Sequence, residues 1–175
     1  EYAFIGQIYE PPFQYHFLKR PYQLEPLTAR KMPEIRYLDA AGKQVSDSKA
    51  AAYTEYLIEL KANIQFQPHP ALAKNQQGGY LYHHLSVKQL EKITRLKDFQ
   101  KTGTRELTAI DYVQQIKRLV HPKISSPIAE LMKQYIVGLE EYAQRIKQLP
   151  RTALKTMDIS GVTVLDDYRY KIRIK

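Results

Sequence analysis

The sequence predicts an α/β (mixed α+β) fold, and three observations predict it. Residues 53–60 alternate at the period of a strand, with Tyr56, Ile58 and Leu60 on one side and Glu55, Leu57 and Glu59 on the other. After Thr108, the apolar residues Ile110, Val113, Ile116 and Val120 recur at three- and four-residue spacing, as on a helix that packs one face. Two extended runs follow near the end, 162–165 and 170–174, with Asp166-Asp167 at the bend between them. Strands on either side of helices make a lobe in which the helices cover a sheet.

The elements follow in order. Residues 4–10 read as a short helix halted by Pro11-Pro12, and 22–27 as an extended segment entering a turn. Residues 32–38 read as a strand. Asp39-Ala40-Ala41-Gly42-Lys43 is turn chemistry, with Gly42 able to take positive φ. With the strand at 53–60 this makes a hairpin, and Leu57 suggests burial on both faces there. Pro68, Pro70, Gly78 and Gly79 mark 67–85 as a loop. Ser86 with Gln89 forms a capping box, and Leu85 with Leu90 a hydrophobic staple. The expected helix places Leu90, Ile93 and Leu96 inward and ends at 101–104. Thr108 with Asp111 is a second start signal, its acid suited to a helix N-terminus. His121-Pro122 stops that helix, where the imidazole could bond the last free carbonyls. Ser126-Pro127 opens another helix, running to about residue 137. Gly138 either breaks it or is absorbed, and 139–149 is helical again.

At 175 residues the chain is one domain or one lobe, long enough for a real core. No apolar run approaches the roughly 20 residues of a membrane span. The absence of cysteine excludes a disulfide framework, thiolate zinc sites and a cysteine nucleophile. A net charge of +9, from 27 Lys+Arg against 18 Asp+Glu, admits nucleic acid, an anionic membrane or an acidic protein as partner. The basic residues are dispersed, which favours a solvated basic surface. There are 14 tyrosines and no tryptophan; tyrosine serves both core margins and wet clefts.

Few patterns carry chemistry. The histidines are His16, His69, His83, His84 and His121; only His69 and His83, both on the loop, could join in a metal site, and exposed histidines are the stronger reading. Gly78-Gly79 lacks the strand–loop–helix setting of a phosphate loop, and no G-x-S-x-G elbow occurs. Asp166-Asp167 suits a turn better than a two-carboxylate active site, because neighbours in an extended chain point apart. Arg169, Lys171, Arg173 and Lys175 share one strand face, which reads as the solvent side of an edge strand. With Tyr168 and Tyr170 interleaved, that face is also what a basic interaction module for nucleic acid or an acidic protein would use. No enzyme, cofactor or metal follows from these residues.

Several segments, in order, resemble the family 5 extracellular solute-binding proteins, the oligopeptide, dipeptide and nickel receptors of ABC importers. Ile8-Tyr9-Glu10-Pro11-Pro12 and Glu25-Pro26-Leu27-Thr28-Ala29 are similar to the family's first two segments. Tyr56-Leu57-Ile58-Glu59-Leu60-Lys61 resembles its Y-T-F-x-L-R strand. Phe66, and then Leu107-Thr108-Ala109-Ile110-Asp111-Tyr112, resemble the two halves of its F-x-D-G-x-P-(V/L)-T-A-x-D-(F/V) element. His121-Pro122-Lys123-Ile124-Ser125-Ser126-Pro127 resembles D-P-x-x-x-S-P, and 161–169 its G-V-x-x-x-D-D-x-T strand pair.

The resemblance implies part of the N-terminal lobe of a type II periplasmic-binding-protein fold. The whole of 1–175 would be one lobe of a larger two-lobed receptor, a reading to which the strand pattern broken off at Ile174-Lys175 also points. The Asp-Gly after Phe66 is missing, and residues 68–106 separate the halves of one motif as a helix-bearing insertion. The implied function is capture of a peptide or other small solute in the periplasm and delivery to an ABC permease in the inner membrane. The export leader would lie outside this chain. No nucleic acid, cofactor or metal is implied. Ser126 and Ile128 would lie in the cleft wall, Ile128 standing where oligopeptide-binding members carry an aromatic.

Overall fold

The computed structural model describes residues 9–147 and 157–175, so the helix expected over 4–10 lies almost wholly outside the described residues. The chain divides into two compact units, residues 1–61 with 108–175, and residues 62–107. Among the described residues the fold is mixed α/β, with a five-stranded antiparallel sheet and four α-helices. None of those helices is long and apolar enough to cross a membrane.

The first unit opens with a small hairpin, β1 (Phe13–Tyr15) against β2 (Leu24–Pro26). The main sheet holds β3 (Glu34–Leu38), β4 (Gln44–Val45), β5 (Tyr53–Glu59), β6 (Val162–Val164) and β7 (Arg169–Ile174), in the order β4-β3-β5-β7-β6. Turn chemistry joins the early strands. Gly42 sits at φ +81°, and the Asp39 carboxylate accepts the backbone N–H groups of Ala41 and Lys43.

Register sorts the faces. Ile58 opposes Tyr170, and Val162 opposes Ile172, all on one side. α2 (Ala109–Leu119) packs on β6 and β7, while α3 (Ala129–Tyr135) packs against α4 (Leu139–Ile146). The core joins Ile58, Leu60, Tyr170 and Val162 to Ala109 and Val113 of α2 and to Leu139, Tyr142 and Ile146 of α4. Tyr170 and Leu139 are fully buried. Each such side chain contributes about 1.5–3 kcal/mol over its exposed state. On α2 the buried positions are Ala109, Val113 and Lys117, with Ile116 and Val120 at the margin, whereas Ile110 is exposed.

The other sheet face is charged. Glu55 on β5 lies beneath Lys171 (3.1 Å) and Arg173 (3.0 Å) of β7. Burial pushes the Glu55 carboxyl up, but hydrogen bonds from Lys171 and Arg173 outweigh it and hold the group below the usual glutamate range. β7 is therefore not the edge strand its alternating cations suggest; it lies between β5 and β6, and its cations serve a buried carboxylate.

Helix punctuation differs in one place, and in another one of two open alternatives holds. Ser126 does not cap α3: Ile128 precedes the helix, and Ser126 accepts the Ala129 N–H through its carbonyl at 3.2 Å. Gly138, at φ +79°, breaks the helical run and separates α3 from α4, in a backbone region that costs other residues dearly.

The second unit hangs on an antiparallel stem. Leu107 donates to the Ile64 carbonyl, Phe66 to that of Arg105, and His69 and Gly103 exchange both backbone bonds. The Arg105 guanidinium lies 4.5 Å from the Phe66 ring centre. The Ser86–Gln89 box is made, yet α1 spans only Val87–Leu90. Asp98 explains the early stop. Its carboxylate accepts the backbone N–H groups of Thr94 and Arg95 and the Thr94 hydroxyl, giving the chain an alternative to helix. Leu90 and Leu96 are consequently exposed rather than inward, and only Ile93 is half-buried.

Candidate functional site

Five distant segments of the first unit meet at one node. Thr28 is almost fully buried and its hydroxyl lies 2.6 Å from that of Tyr112, on α2. Each hydroxyl also reaches a carbonyl, Thr28 that of Pro11 at 3.2 Å and Tyr112 that of Glu10 at 3.3 Å. The Tyr112 ring stacks on Tyr170 with centres 5.7 Å apart. Backbone bonds complete the node. Lys61 donates to Thr28 at 2.9 Å, Leu60 to Tyr168 at 2.8 Å, and Ala109 to Asp167 at 2.7 Å.

The node is a low-dielectric place by construction. Burial raises the Tyr112 phenol, against the opposing effect of the Thr28 hydrogen bond. Burial raises the Tyr170 phenol much further, with the neighbouring Tyr112 adding to it. Both rings therefore stay neutral hydroxyls, fit for packing and hydrogen bonding rather than proton transfer near neutral pH.

Beside the node lies an open depression of about 450 Å³, lined by Glu59 and by Asp166, Asp167, Tyr168 and Arg169 of the β6–β7 turn. Two of its carboxylates, Glu59 and Asp166, are paired. Glu59 meets Arg30 at 2.9 Å and Lys31 at 3.6 Å, and the Arg30 hydrogen bond holds its carboxyl below the ordinary range. Asp166 accepts the Arg169 guanidinium at 2.7 Å and the Tyr168 N–H at 3.0 Å, with Arg169 the main cause of its lowered pKa. Asp166 and Asp167 do not work as a dyad. The first closes the turn through its side chain, and the second receives α2 through its carbonyl.

Ser126 and Ile128 lie together on the loop before α3. Ser126 is half-buried and Ile128 is 47% exposed. Ile128 is not alone: Ile124, Leu131 and Tyr135 are also exposed, and 128, 131 and 135 share one helix face. Leu131 and Tyr135 went unread in the sequence, although that spacing is legible in it. Lys133, on the same helix, is tied to Glu130 at 2.8 Å and Glu140 at 3.1 Å.

His69, His83 and His121 have backbone duties. His69 accepts the Ala71 N–H through Nδ1 at 3.1 Å, and His83 Nε2 lies 2.8 Å from the Ala71 carbonyl, with its ring stacked on Tyr80. His121 accepts the Lys123 N–H at 3.1 Å, closing a turn instead of bonding a helix carbonyl. Among the described residues no group of three His, Asp or Glu side chains is placed to hold a metal ion. A scan against protein-family models finds no match for this chain, and a search of curated proteins finds none.

Proposed function

We propose that this chain is part of the N-terminal lobe of a solute-binding receptor for an ABC importer, of the family 5 kind and with a type II periplasmic-binding fold. It captures a peptide or similar small solute in the periplasm and presents it to an inner-membrane permease. The role is binding, with no chemistry performed on the ligand.

The observation that carries the reading is the node. The segments at 10–12, 25–29, 56–61, 107–112 and 161–169 each resemble a family motif, and each supplies one strut of the same small volume. Residues scattered over more than a hundred positions meet there, as motifs that specify one architecture should. The apolar row Ile128, Leu131 and Tyr135 supplies a wall of the kind a two-lobed receptor closes on its ligand. Tyr135 brings back the ring and hydroxyl that Ile128 lacks. The basic-module reading fares worse, because Lys171 and Arg173 are held by Glu55 and Arg169 by Asp166.

Calorimetry with a pool of short peptides tests the proposal, on this chain alone and on the gene product extended through its downstream reading frame. Saturable binding by the extended protein, lost on Ile128→Glu, is expected, with none from this chain alone. An extended protein that binds no peptide or other solute overturns the receptor reading. Micromolar binding by this chain alone overturns only the requirement for a second lobe.

A further inference from the structure

The turn joining β1 to β2 stands apart from everything above. Phe17 is 88% exposed and Leu18 78%, flanked by Tyr15 and Tyr22 at 67% and 69%. These are large apolar side chains held on a fixed support. His16 donates its N–H to the Gln23 carbonyl and accepts the N–H groups of Leu18 and Lys19 through Nδ1. Arg20 donates to the carbonyls of Phe17 and Lys19, and its guanidinium lies 4.3 Å from the Tyr22 ring centre. Tyr15 meets Tyr22 edge-on at 6.0 Å. At its base, Phe13 packs on the core. The tip is thus preorganised, with its turn satisfied internally and its apolar side chains pointing at water.

We propose that this turn is an insertion tip for an anionic lipid surface. Charge supports that occupant: residues 11–24 include Lys19 and Arg20 and no acid. Rings that are apolar in body and polar at the tip suit the headgroup layer, and adjacent cations are drawn to anionic lipid. Shape supports it too. A turn presenting two apolar side chains falls far short of the roughly 800 Å² per partner of a stable protein interface, whereas a lipid layer needs no matching shape.

The absence of tryptophan makes a clean test, because Phe17→Trp places the one such fluorophore at the tip. With vesicles of mixed phosphatidylglycerol and phosphatidylcholine, its emission should shift to the blue and be quenched by brominated acyl chains; pure phosphatidylcholine should give neither. Phe17→Ala with Leu18→Ala should weaken cosedimentation about tenfold or more, and Lys19→Gln, which leaves the turn bonds of Arg20 in place, several-fold on anionic vesicles. Phe17, Leu18 and Lys19 are exposed, so circular dichroism should be unchanged. Cosedimentation with unshifted emission would locate the membrane contact elsewhere and overturn the proposal. So would a shift with soluble polyglutamate and none with vesicles.

Discussion

Glu55→Gln removes one charge and almost no volume, and should cost far more than a surface substitution. The Glu55 side chain is 8% exposed and receives Lys171 and Arg173 at 3.1 and 3.0 Å. Arg36 lies directly opposite it on β3 but is held by Glu34 at 2.7 Å, so a neutral amide would leave Lys171 and Arg173 facing each other without their carboxylate. Arg173 Nε is already buried without a partner, and no spare acceptor is at hand for it. Breaking a buried pair typically costs about 3–5 kcal/mol. Lys171 and Arg173 keep 31% and 29% exposure, so water recovers part of that. The expected loss is about 2–3 kcal/mol. The pH dependence follows from the depressed carboxyl. Its stabilisation is fully present above the ordinary glutamate value of 4.5 and is lost as pH falls through the lower folded value. Urea unfolding followed by far-ultraviolet circular dichroism measures both effects. The wild type should weaken below that pH, and the gap to Glu55→Gln should close. A variant within about 0.5 kcal/mol of wild type at neutral pH would refute the reasoning, as would a gap that persists in acid.

Gly138→Ala should destabilise by about 3 kcal/mol or more, because a Cβ there collides with Ser160 Oγ on a backbone at φ +79°. Ser160→Gly in the same chain should return part of the loss in urea titrations, and an undamaged single variant would show the approach to be looser than described. Thr28→Val and Tyr112→Phe should each cost about 1 kcal/mol, and the double variant less than the sum, since each removes the other's partner. Strict additivity in that cycle would dissolve the node as a cooperative unit.

Much of the sheet is legible in the sequence because its strands obey one rule. β3, β5 and β7 alternate, and a single buried face fixes their register. Helix starts at Ser86 and Thr108 are legible for the same local reason, a side chain three residues on that reaches back. The length of α1 is not, because Asp98 captures the chain from beyond the helix. The extended reading of 22–27 covers β2, but β1 and its pairing escape notice because only three residue pairs join them, across a turn with no glycine. β7 is misplaced at an edge because nothing in an alternating strand names its neighbours. The node shows the same limit: Thr28 and Tyr112 are 84 positions apart, and no local pattern announces that their hydroxyls will touch. By contrast, Leu131 and Tyr135 are a helix face that periodicity displays.

The stem of the second unit has a consequence for how this chain can change over time. With Ile64 bonded to Leu107 and His69 to Gly103, the ends of the excursion are pinned at its root. The entropy of closing such a loop grows only with the logarithm of its length, about 0.6 kcal/mol for each doubling. Residues 70–102 can therefore lengthen, shorten or be exchanged at small thermodynamic penalty while the stem stays the same. That makes this excursion a cheap place for new surface to be tried.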